Sequence, residues 1–402
     1  MSSSSHLDPA LAALRRYTLH ESPTGDRRAL AALADVLDAD AAEAGFHTAR
    51  EPHPDGDHLV WTLPARGVAG GPLLLLSHYD TVWPVGTLAG MPWSVEGDTV
   101  RGPGVYDTKA GLVALLAAAA RVAREGAPHP EIRVLVVADE EIGSPTATGL
   151  VRAEAGRARA VLGLEPPHPG GDLKTGRRGS TRVRIEVTGA EAHAALDPDA
   201  GVNAIDELVD QLVRVRALVA GRPVLLNTGT VAGGGRTNVV AGAAHADLGL
   251  RFTDPGNEDA VLAGLAALRP VRERALLATR LLSHRPTWQP DEAGAHLLDR
   301  IVAVAAGLGQ RLAGRPADGA ADTNTTGALG RPTVDGLAPP GGGAHARHEW
   351  VSAAGLGARA DLLAALFTGL HTGQRDRERR ARDSATSPTA ISASPSAPAP
   401  TR

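Results

Sequence analysis

The chain of 402 residues contains no cysteine, which excludes disulfides, thiolate zinc sites, iron–sulfur clusters and a cysteine nucleophile. Aromatic residues are scarce at 3%, and only two of the 41 basic residues are lysine. Its longest apolar runs, such as residues 112–120, fall far short of the roughly 18–20 residues that span a bilayer. What remains is an ordinary globular composition, with 43% hydrophobic and 21% charged residues.

An excess of positive charge is also missing. The formal net charge is −4, so no overall basic field would attract nucleic acid, and the arginine-rich stretch 375–382 is short and interleaved with acids. The first residues, MSSSSHLDP, lack the basic and then apolar pattern of a secretory signal. The sequence therefore predicts a cytoplasmic enzyme without a nucleic-acid or membrane partner.

The chain length and the element pattern predict one domain inserted into another. Residues 1–175 alternate apolar strands with helices, which is typical of an α/β catalytic domain with a mainly parallel sheet. Residues 176–286 follow the order β-α-β-β-α-β of a ferredoxin-like, two-layer α+β domain. The α/β pattern returns in residues 287–372, the second part of the catalytic domain. Residues 373–402 are charged and then rich in Ser, Pro, Ala and Thr, which predicts a disordered tail.

Local patterns predict individual elements of the first domain. Residues 72–76 form a continuous apolar run, which is typical of a strand buried on both faces of a sheet, and residues 132–138 and 160–164 form two more. Apolar residues at helical spacing predict a helix over residues 25–46, with Thr24 as its N-cap.

Metal-ligand residue types follow several of these predicted strands and turns. In open α/β sheets, binding sites form at the carboxyl ends of the strands, so we expect the side chains to converge there. Taken singly, each has a plainer explanation, such as a surface pair, a helix N-cap, a solvated acidic loop or a strand-ending charge. The residues are His78 and Asp80, Asp107, Glu140 and Glu141, Glu165, and His345.

The set as a whole suits a pair of divalent cations. Two histidines and three carboxylates, without cysteine, form a donor set suited to zinc, cobalt or manganese. Five ligands are too many for one tetrahedral ion and suit two ions about 3.5–4 Å apart with one bridging carboxylate. The consecutive acids Asp139, Glu140 and Glu141 repel one another unless cations or protons relieve them. Alternation would let Glu140 and Glu141 point different ways, so that one holds a metal while the other stays free to act on a water.

These residues lie in motifs that occur together in a known family. The segments SHYDTVWP, GPGVYDTKAG, DEEIGS, LEP and GGGAH follow one another in that family's order and approximate spacing. Over roughly residues 10–372 the chain resembles the co-catalytic dizinc exopeptidases and deacylases, which include glutamate carboxypeptidase, acetylornithine deacetylase and succinyl-diaminopimelate desuccinylase. The resemblance implies a phosphorylase/hydrolase-like α/β catalytic domain of the zinc exopeptidases, with an inserted ferredoxin-like dimerisation domain.

The resemblance also implies the metal ligands. Asp107 would bridge two divalent ions, zinc in the first place, with cobalt or manganese as the alternatives. His78 and Glu165 would complete one site, and Glu141 and His345 the other.

Three further features follow from the resemblance. Glu140 would be the general base, which takes a proton from the attacking water and passes it to the leaving amine. Asp80 would support His78 as its hydrogen-bond partner. The peptide bond between Asp107 and Thr108 would be cis.

The inserted domain carries three more residues of the resemblance. His193 would reach across the interface of a homodimer into the partner's site and stabilise the oxyanion, and Asn238 would do similar work. Arg285 would hold a substrate carboxylate through bidentate pairing. Without the family context, a surface loop histidine and a solvated strand-end arginine are the plainer explanations of His193 and Arg285.

Together these implications predict a hydrolase that cleaves an amide or peptide bond next to a free carboxylate, like a glutamate carboxypeptidase. Its substrate would be a small molecule or a short peptide. An N-acyl amino acid deacylase, like acetylornithine deacetylase, is the alternative within the family, because specificity depends on pocket shape. A non-catalytic binding protein with the same fold would have lost ligands or the base, whereas this chain keeps all five ligands and Glu140.

Overall fold

The computed structural model of the protein describes residues 4–370, and the tail predicted over residues 373–402 lies outside them. Within the described residues, no helix is both long and apolar enough to cross a bilayer. The helices are α1 (Ser4–Leu19), α2 (Arg27–Glu43), α3 (Ala110–Glu125), α4 (Thr148–Arg157), α5 (Ala204–Val219), α6 (Pro255–Ala266), α7 (Glu292–Gly307), α8 (Thr323–Ala328) and α9 (Ala353–Gly369).

The strands range from two to ten residues in length. In chain order they are β1 (His47–Glu51), β2 (His58–Leu63), β3 (Leu73–His78), β4 (Ser94–Glu96), β5 (Thr99–Arg101), β6 (Ile132–Val137), β7 (Ala160–Gly163), β8 (Leu173–Arg177), β9 (Gly179–Thr188), β10 (Val224–Gly233), β11 (Ala243–Phe252), β12 (Leu276–Arg285), β13 (Gly314–Ala317), β14 (Thr333–Val334), β15 (Gly341–Gly342) and β16 (Trp350–Ser352).

A central sheet has the strand order β1-β2-β6-β3-β7-β14. The neighbours β6, β3, β7 and β14 run parallel, as predicted, while β1 and β2 pair antiparallel at one side. All of β3 is buried because helices cover both faces of the sheet. Leu73 and Leu75 pack with α3 and α9, whereas Leu74 and Leu76 pack with α4. The continuous apolar run of β3 is therefore explained by burial on both faces.

The elements from β9 to β12 form a second unit, called the inserted unit below, with the order β-α-β-β-α-β. Its strands are antiparallel in the order β10-β11-β9-β12, which confirms the ferredoxin-like arrangement. Helices α5 and α6 cover one face of this sheet, around Val183, Leu208 and Phe252. On the other face Leu225 and Leu276 are 60% and 69% exposed.

Two small sheets connect chain segments that are distant in sequence. Strand β8 pairs parallel with β13, across the insertion, so the expected boundary at residue 175 falls inside β8 and the domain limits stay a prediction. The other sheet has the order β15-β16-β5-β4. It brings the loop of residues 343–349 against the turn of residues 102–107, and both segments carry candidate ligands.

Candidate metal centre

The candidate ligands lie where neighbouring parallel strands end. His78 is the last residue of β3, Glu140 follows β6, and Glu165 follows β7. Because β6, β3 and β7 are adjacent and parallel, their carboxyl ends bring these side chains to one edge of the sheet. Asp107 and His345 reach the same edge from the two segments that the small sheet brings together.

One group of three ligands consists of His78, Asp107 and Glu165. Their ligand atoms lie within 4.8 Å of one another. His78 Nε2 is 3.1 Å from Asp107 Oδ1 and 3.8 Å from Glu165 Oε1. The His78 side chain is 1% exposed, and the two carboxylates are mostly buried. One imidazole and two carboxylates in this arrangement match three ligands of a single cation.

A second group consists of Asp107, Glu141 and His345. His345 Nε2 is 3.0 Å from Glu141 Oε2 and 3.4 Å from Asp107 Oδ2. The two oxygens of Asp107 therefore face different groups, which is the geometry that a bridging carboxylate needs. The peptide bond between Asp107 and Thr108 is cis, as the resemblance implied.

One acceptor of the second group has no donor in the part of the chain that the structure describes. Glu141 Oε1 is buried and has no hydrogen-bond partner among residues 4–370. Buried polar atoms are normally satisfied, and a cation satisfies an acceptor that no donor reaches. With nitrogen and oxygen ligands only and one shared carboxylate, the residues of the two groups fit two divalent cations.

Asp80 is fully buried beside His78 and fixes its ring. His78 Nδ1 lies 3.0 Å from the Asp80 carbonyl oxygen and 3.3 Å from its Oδ1, which leaves Nε2 free for a metal. Asp80 also accepts hydrogen bonds from Thr24 Oγ1 at 2.7 Å and from the backbone N–H groups of Glu140 and Glu141 at 3.2 Å. The Asp80 carboxylate thus orients the His78 ring and holds the loop that carries Glu140 and Glu141.

Glu140 lies at the same edge and is only 8% exposed. Its Oε1 is 2.9 Å from Arg285 Nη2, which also donates to the Glu140 carbonyl at 2.8 Å and to Ser144 Oγ at 2.9 Å. Asp322 Oδ1 lies 3.3 Å from the same nitrogen. Arg285 Nε is buried and has no hydrogen-bond partner in the described part of the chain. The guanidinium therefore restrains Glu140.

Sequence comparison agrees with this geometry. A family model described as peptidase family M20/M25/M40 matches residues 74–368, most of the chain. The chain belongs to this family. Carboxypeptidase G2 from Pseudomonas sp. (strain RS-16) is 32% identical to it over 373 residues, 88% of this chain and 87% of that protein. Succinyl-diaminopimelate desuccinylase from Gluconobacter oxydans (strain 621H) is 32% identical over 265 residues, 61% of this chain and 68% of that protein.

Solved structures share the fold of this M20 protein. The M20 family metallo-carboxypeptidase Sso-CP2 from Sulfolobus solfataricus has a TM-score of 0.69 at 16% identity, covering 92% of this chain and 99% of its own. Aminopeptidase PepT from Bacillus cereus has a TM-score of 0.68 at 21% identity, covering 90% and 98%. As a member of the family, the chain is a metal-dependent hydrolase of the metallopeptidase and amidohydrolase class, which confirms the expected enzyme.

The charges in the centre of this M20 protein shift one another's pKa. Hydrogen bonds to Asp107 and Glu141 raise the pKa of His345 to about 10. Burial disfavours protonated His78, but its hydrogen bonds to Asp107 and Asp80 and the charges of Glu165 and Glu140 together outweigh burial and raise its pKa well above the usual value. Burial also raises the pKa of Glu165 to about 7. In the protein alone, protons on the two histidines balance the acids, and bound cations would take the place of those protons.

His193 and Asn238 lie next to each other in the inserted unit. The backbone N–H of Ala194 donates to the Asn238 carbonyl at 3.0 Å, and both side chains are exposed. Within the described residues, neither side chain hydrogen-bonds to a residue of the two metal groups. His193 Nδ1 accepts from the backbone N–H groups of Ala195 and Leu196, at 3.2 Å and 3.1 Å, so its Nε2 is the protonated nitrogen and a donor.

Two buried acids that the sequence analysis did not assign support the centre of this M20 protein. Asp335 Oδ1 accepts from the Glu165 backbone N–H at 3.3 Å, and its Oδ2 is 2.6 Å from Arg177 Nη2. Asp335 directly follows β14, a parallel neighbour of β7, and that position is the signal that sequence reasoning had available. Glu349 accepts from the Asp107 backbone N–H at 3.1 Å. Both acids hold the backbone of a ligand and do not belong to either group.

Proposed function

We propose that this M20 protein is a two-metal hydrolase that cleaves an amide or peptide bond next to a free carboxylate, like a glutamate carboxypeptidase. The observation that carries the proposal is the placement of Glu140, a buried carboxylate that belongs to neither metal group but lies at their edge of the sheet. The match to carboxypeptidase G2 over 88% of the chain supports the substrate class.

Two divalent ions are part of the proposal, zinc in the first place and cobalt or manganese as the alternatives. His78 and Glu165 would hold one ion, Glu141 and His345 the other, and Asp107 both. A donor set of nitrogen and oxygen without sulfur suits these metals. Bound there, the pair would supply Lewis acidity toward a water and toward the scissile carbonyl.

Glu140 is the proposed general base. Burial raises the pKa of Glu140 well above the usual value, although the charge of Arg285 opposes this shift. The raised pKa makes the carboxylate a stronger proton acceptor than that of an exposed glutamate. Glu140 takes a proton from the attacking water while the water oxygen joins the carbonyl carbon. It then gives the proton to the nitrogen as the C–N bond breaks, and an amine and a carboxylic acid leave.

Arg285 is the proposed anchor for the substrate carboxylate. Its Nη2 is engaged by Glu140 and Ser144, but its buried Nε lacks a partner in the described part of the chain, so a donor is left for a carboxylate. His193 and Asn238 are exposed in the single chain, which supports their proposed action in the partner's site of a homodimer. An active monomer in solution would remove both residues from the proposed site.

Glu140→Gln tests the proposed mechanism. We expect kcat to fall by about 10²–10⁴-fold, because an amide cannot take a proton from water. Metal analysis should find the same metal content as in the wild type. Glu154→Gln is the control, since Glu154 is a buried carboxylate paired with Arg133 and outside both metal groups. Near-normal turnover of Glu140→Gln would contradict the proposed base.

A deacylase of N-acyl amino acids is the second candidate function. It is supported by the succinyl-diaminopimelate desuccinylases, one of which is 32% identical over 61% of this chain. A panel of dipeptides, folate-like amides and N-acyl amino acids, assayed by amine release from the zinc-loaded and cobalt-loaded protein, separates the two. Fastest turnover of substrates with a C-terminal glutamate supports the carboxypeptidase, and fastest turnover of N-acyl amino acids supports the deacylase.

A further inference from the structure

Glu349 is a buried carboxylate in the loop that carries His345. It is 0% exposed. It accepts two hydrogen bonds at each carboxylate oxygen, so its acceptor sites are all in use. The donors are the backbone N–H groups of Tyr106 (2.8 Å) and Asp107 (3.1 Å) to Oε1, and of Gly104 (2.9 Å) together with Trp83 Nε1 (3.0 Å) to Oε2.

Three of these donors form the turn that presents the shared ligand Asp107. Asp107 has φ −117° and ψ 86°, so the turn is not a regular helix that would satisfy its own N–H groups. Glu349 follows His345 by four residues in the same loop. One carboxylate therefore joins the turn of Asp107 to the loop of His345, the two chain segments that meet in the second metal group.

We propose that Glu349 is a positioning residue for the metal centre, which fixes Asp107 relative to His345 and thereby sets the affinity for the ion of the second group. Its oxygens contact the backbone of the turn and the Trp83 ring nitrogen, and they do not contact the ligand side chains. An amide in its place keeps the shape, but it loses half of the acceptor capacity and points two new donors at N–H groups. The inference rests on the two-metal centre proposed above.

The inserted unit offers a matched control variant. Glu207 is also 0% exposed and accepts four hydrogen bonds, from Gln211 Nε2, from the backbone N–H groups of Val271 and Arg272, and from Arg272 Nη1. None of these partners belongs to a metal group. Glu207→Gln and Glu349→Gln therefore each remove a buried carboxylate that accepts four hydrogen bonds, and Glu207→Gln also removes an ion pair with Arg272. A general loss of stability would appear in both variants, and a loss of metal affinity only in Glu349→Gln.

Zinc titrations of chelator-treated protein against a fluorescent zinc indicator test this inference, with thermal unfolding measured in parallel. The wild type and Glu207→Gln should each bind two ions, and each ion should bind to the two proteins with the same affinity. Glu349→Gln should bind the second ion about 10–100-fold more weakly, and at limiting zinc its kcat should fall while KM changes little. Wild-type affinity for both ions in Glu349→Gln, or an equal loss in Glu207→Gln, would overturn the inference. A wild type that binds fewer than two ions would instead overturn the proposed function.

Trp83→Phe covers the case in which Glu349→Gln does not fold. It removes one of the four donors and keeps the carboxylate and the three backbone contacts. We expect a smaller loss, with affinity for the second ion reduced roughly twofold to tenfold. Unchanged affinity in Trp83→Phe would then count against the positioning role of Glu349.

Discussion

The two metal groups share Asp107 but are held by different kinds of structure. His78 ends a buried strand, its side chain is 1% exposed, and its Nδ1 is fixed by Asp80. His345 lies in a loop with φ 61°, and its side chain is 51% exposed. The sheet therefore preorganises the first group, whereas the second depends on loop contacts such as those of Glu349. We expect the ion held by His345 to bind more weakly and to leave first.

Removal of each histidine in turn gives the largest expected difference between the groups. His78→Ala leaves buried carboxylates without their partner, so the chelator-treated protein should lose about 1–3 kcal/mol of unfolding free energy, and the first ion should be lost. His345→Ala removes a side chain that is 51% exposed and better solvated than His78, so it should cost less unfolding free energy than His78→Ala and release only the second ion. Metal analysis and thermal unfolding measure both effects. Equal effects of the two substitutions would break the distinction.

Asp80→Asn sharpens the comparison because Asp80 contacts the His78 ring directly and reaches the second group only through the backbone N–H of Glu141. The amide keeps the shape but alters the partner of His78 Nδ1 and the acceptors of the acidic loop. We expect about 10–100-fold weaker zinc binding by the His78 group, with the His345 group changed much less. Asp26→Asn is the control, because Asp26 caps α2 and asparagine caps helices equally well. Loss of affinity at the His345 group alone would contradict the prediction.

The pH dependence of zinc binding should differ least between the groups, because the raised pKa of His78 means that its ring must also lose a proton before a metal binds. The ring proton of His345, whose pKa is about 10, must leave before the metal binds. Affinity of the second group should therefore rise by up to about tenfold per pH unit between pH 7 and pH 9. Isothermal titration in buffers of different ionisation enthalpy should show proton release, which His345→Ala should reduce. Binding without proton release would contradict the raised pKa.

The same proton links the stability of chelator-treated protein to pH. The folded-state pKa of His345 lies above its ordinary value of 6.5, so its stabilising contribution is complete below about pH 6.5 and is lost as the pH rises through about 10. The Tm of the wild type should therefore fall over this range, and less so for His345→Ala. A Tm that falls equally in both would show that other groups carry the dependence.

Two ligands of the first metal group, His78 and Glu165, could be predicted from sequence because they follow short apolar runs. LLLLS precedes His78 and VLGL precedes Glu165, and buried parallel strands must end at a common edge. The N-cap of α2 shows the limit of such local patterns. The prediction of Thr24 is wrong, because Asp26 caps the helix and the Thr24 hydroxyl donates to Asp80, a contact 56 residues away. The Thr24 side chain therefore hydrogen-bonds to a residue that is distant in sequence and does not cap the helix.

The position of Asp335 at the end of a strand was visible in the sequence, but the contacts of the two supporting acids could not be predicted, because their partners are remote in sequence. Glu349 accepts from the Tyr106 backbone across 243 residues, and Asp335 accepts from the Glu165 backbone across 170. Neither contact leaves a periodic pattern or a local motif. The antiparallel pair of β1 and β2 at the side of the sheet was likewise not visible, because local alternation does not reveal which strands become neighbours.

Anomalous diffraction at the zinc absorption edge, from crystals of the zinc-loaded protein, tests most directly whether two ions share the carboxylate of Asp107. We expect two peaks about 3.5–4 Å apart, one beside Asp107 Oδ1 and His78 and the other beside Asp107 Oδ2 and His345. A single peak, or two peaks that have no ligand in common, would contradict this expectation.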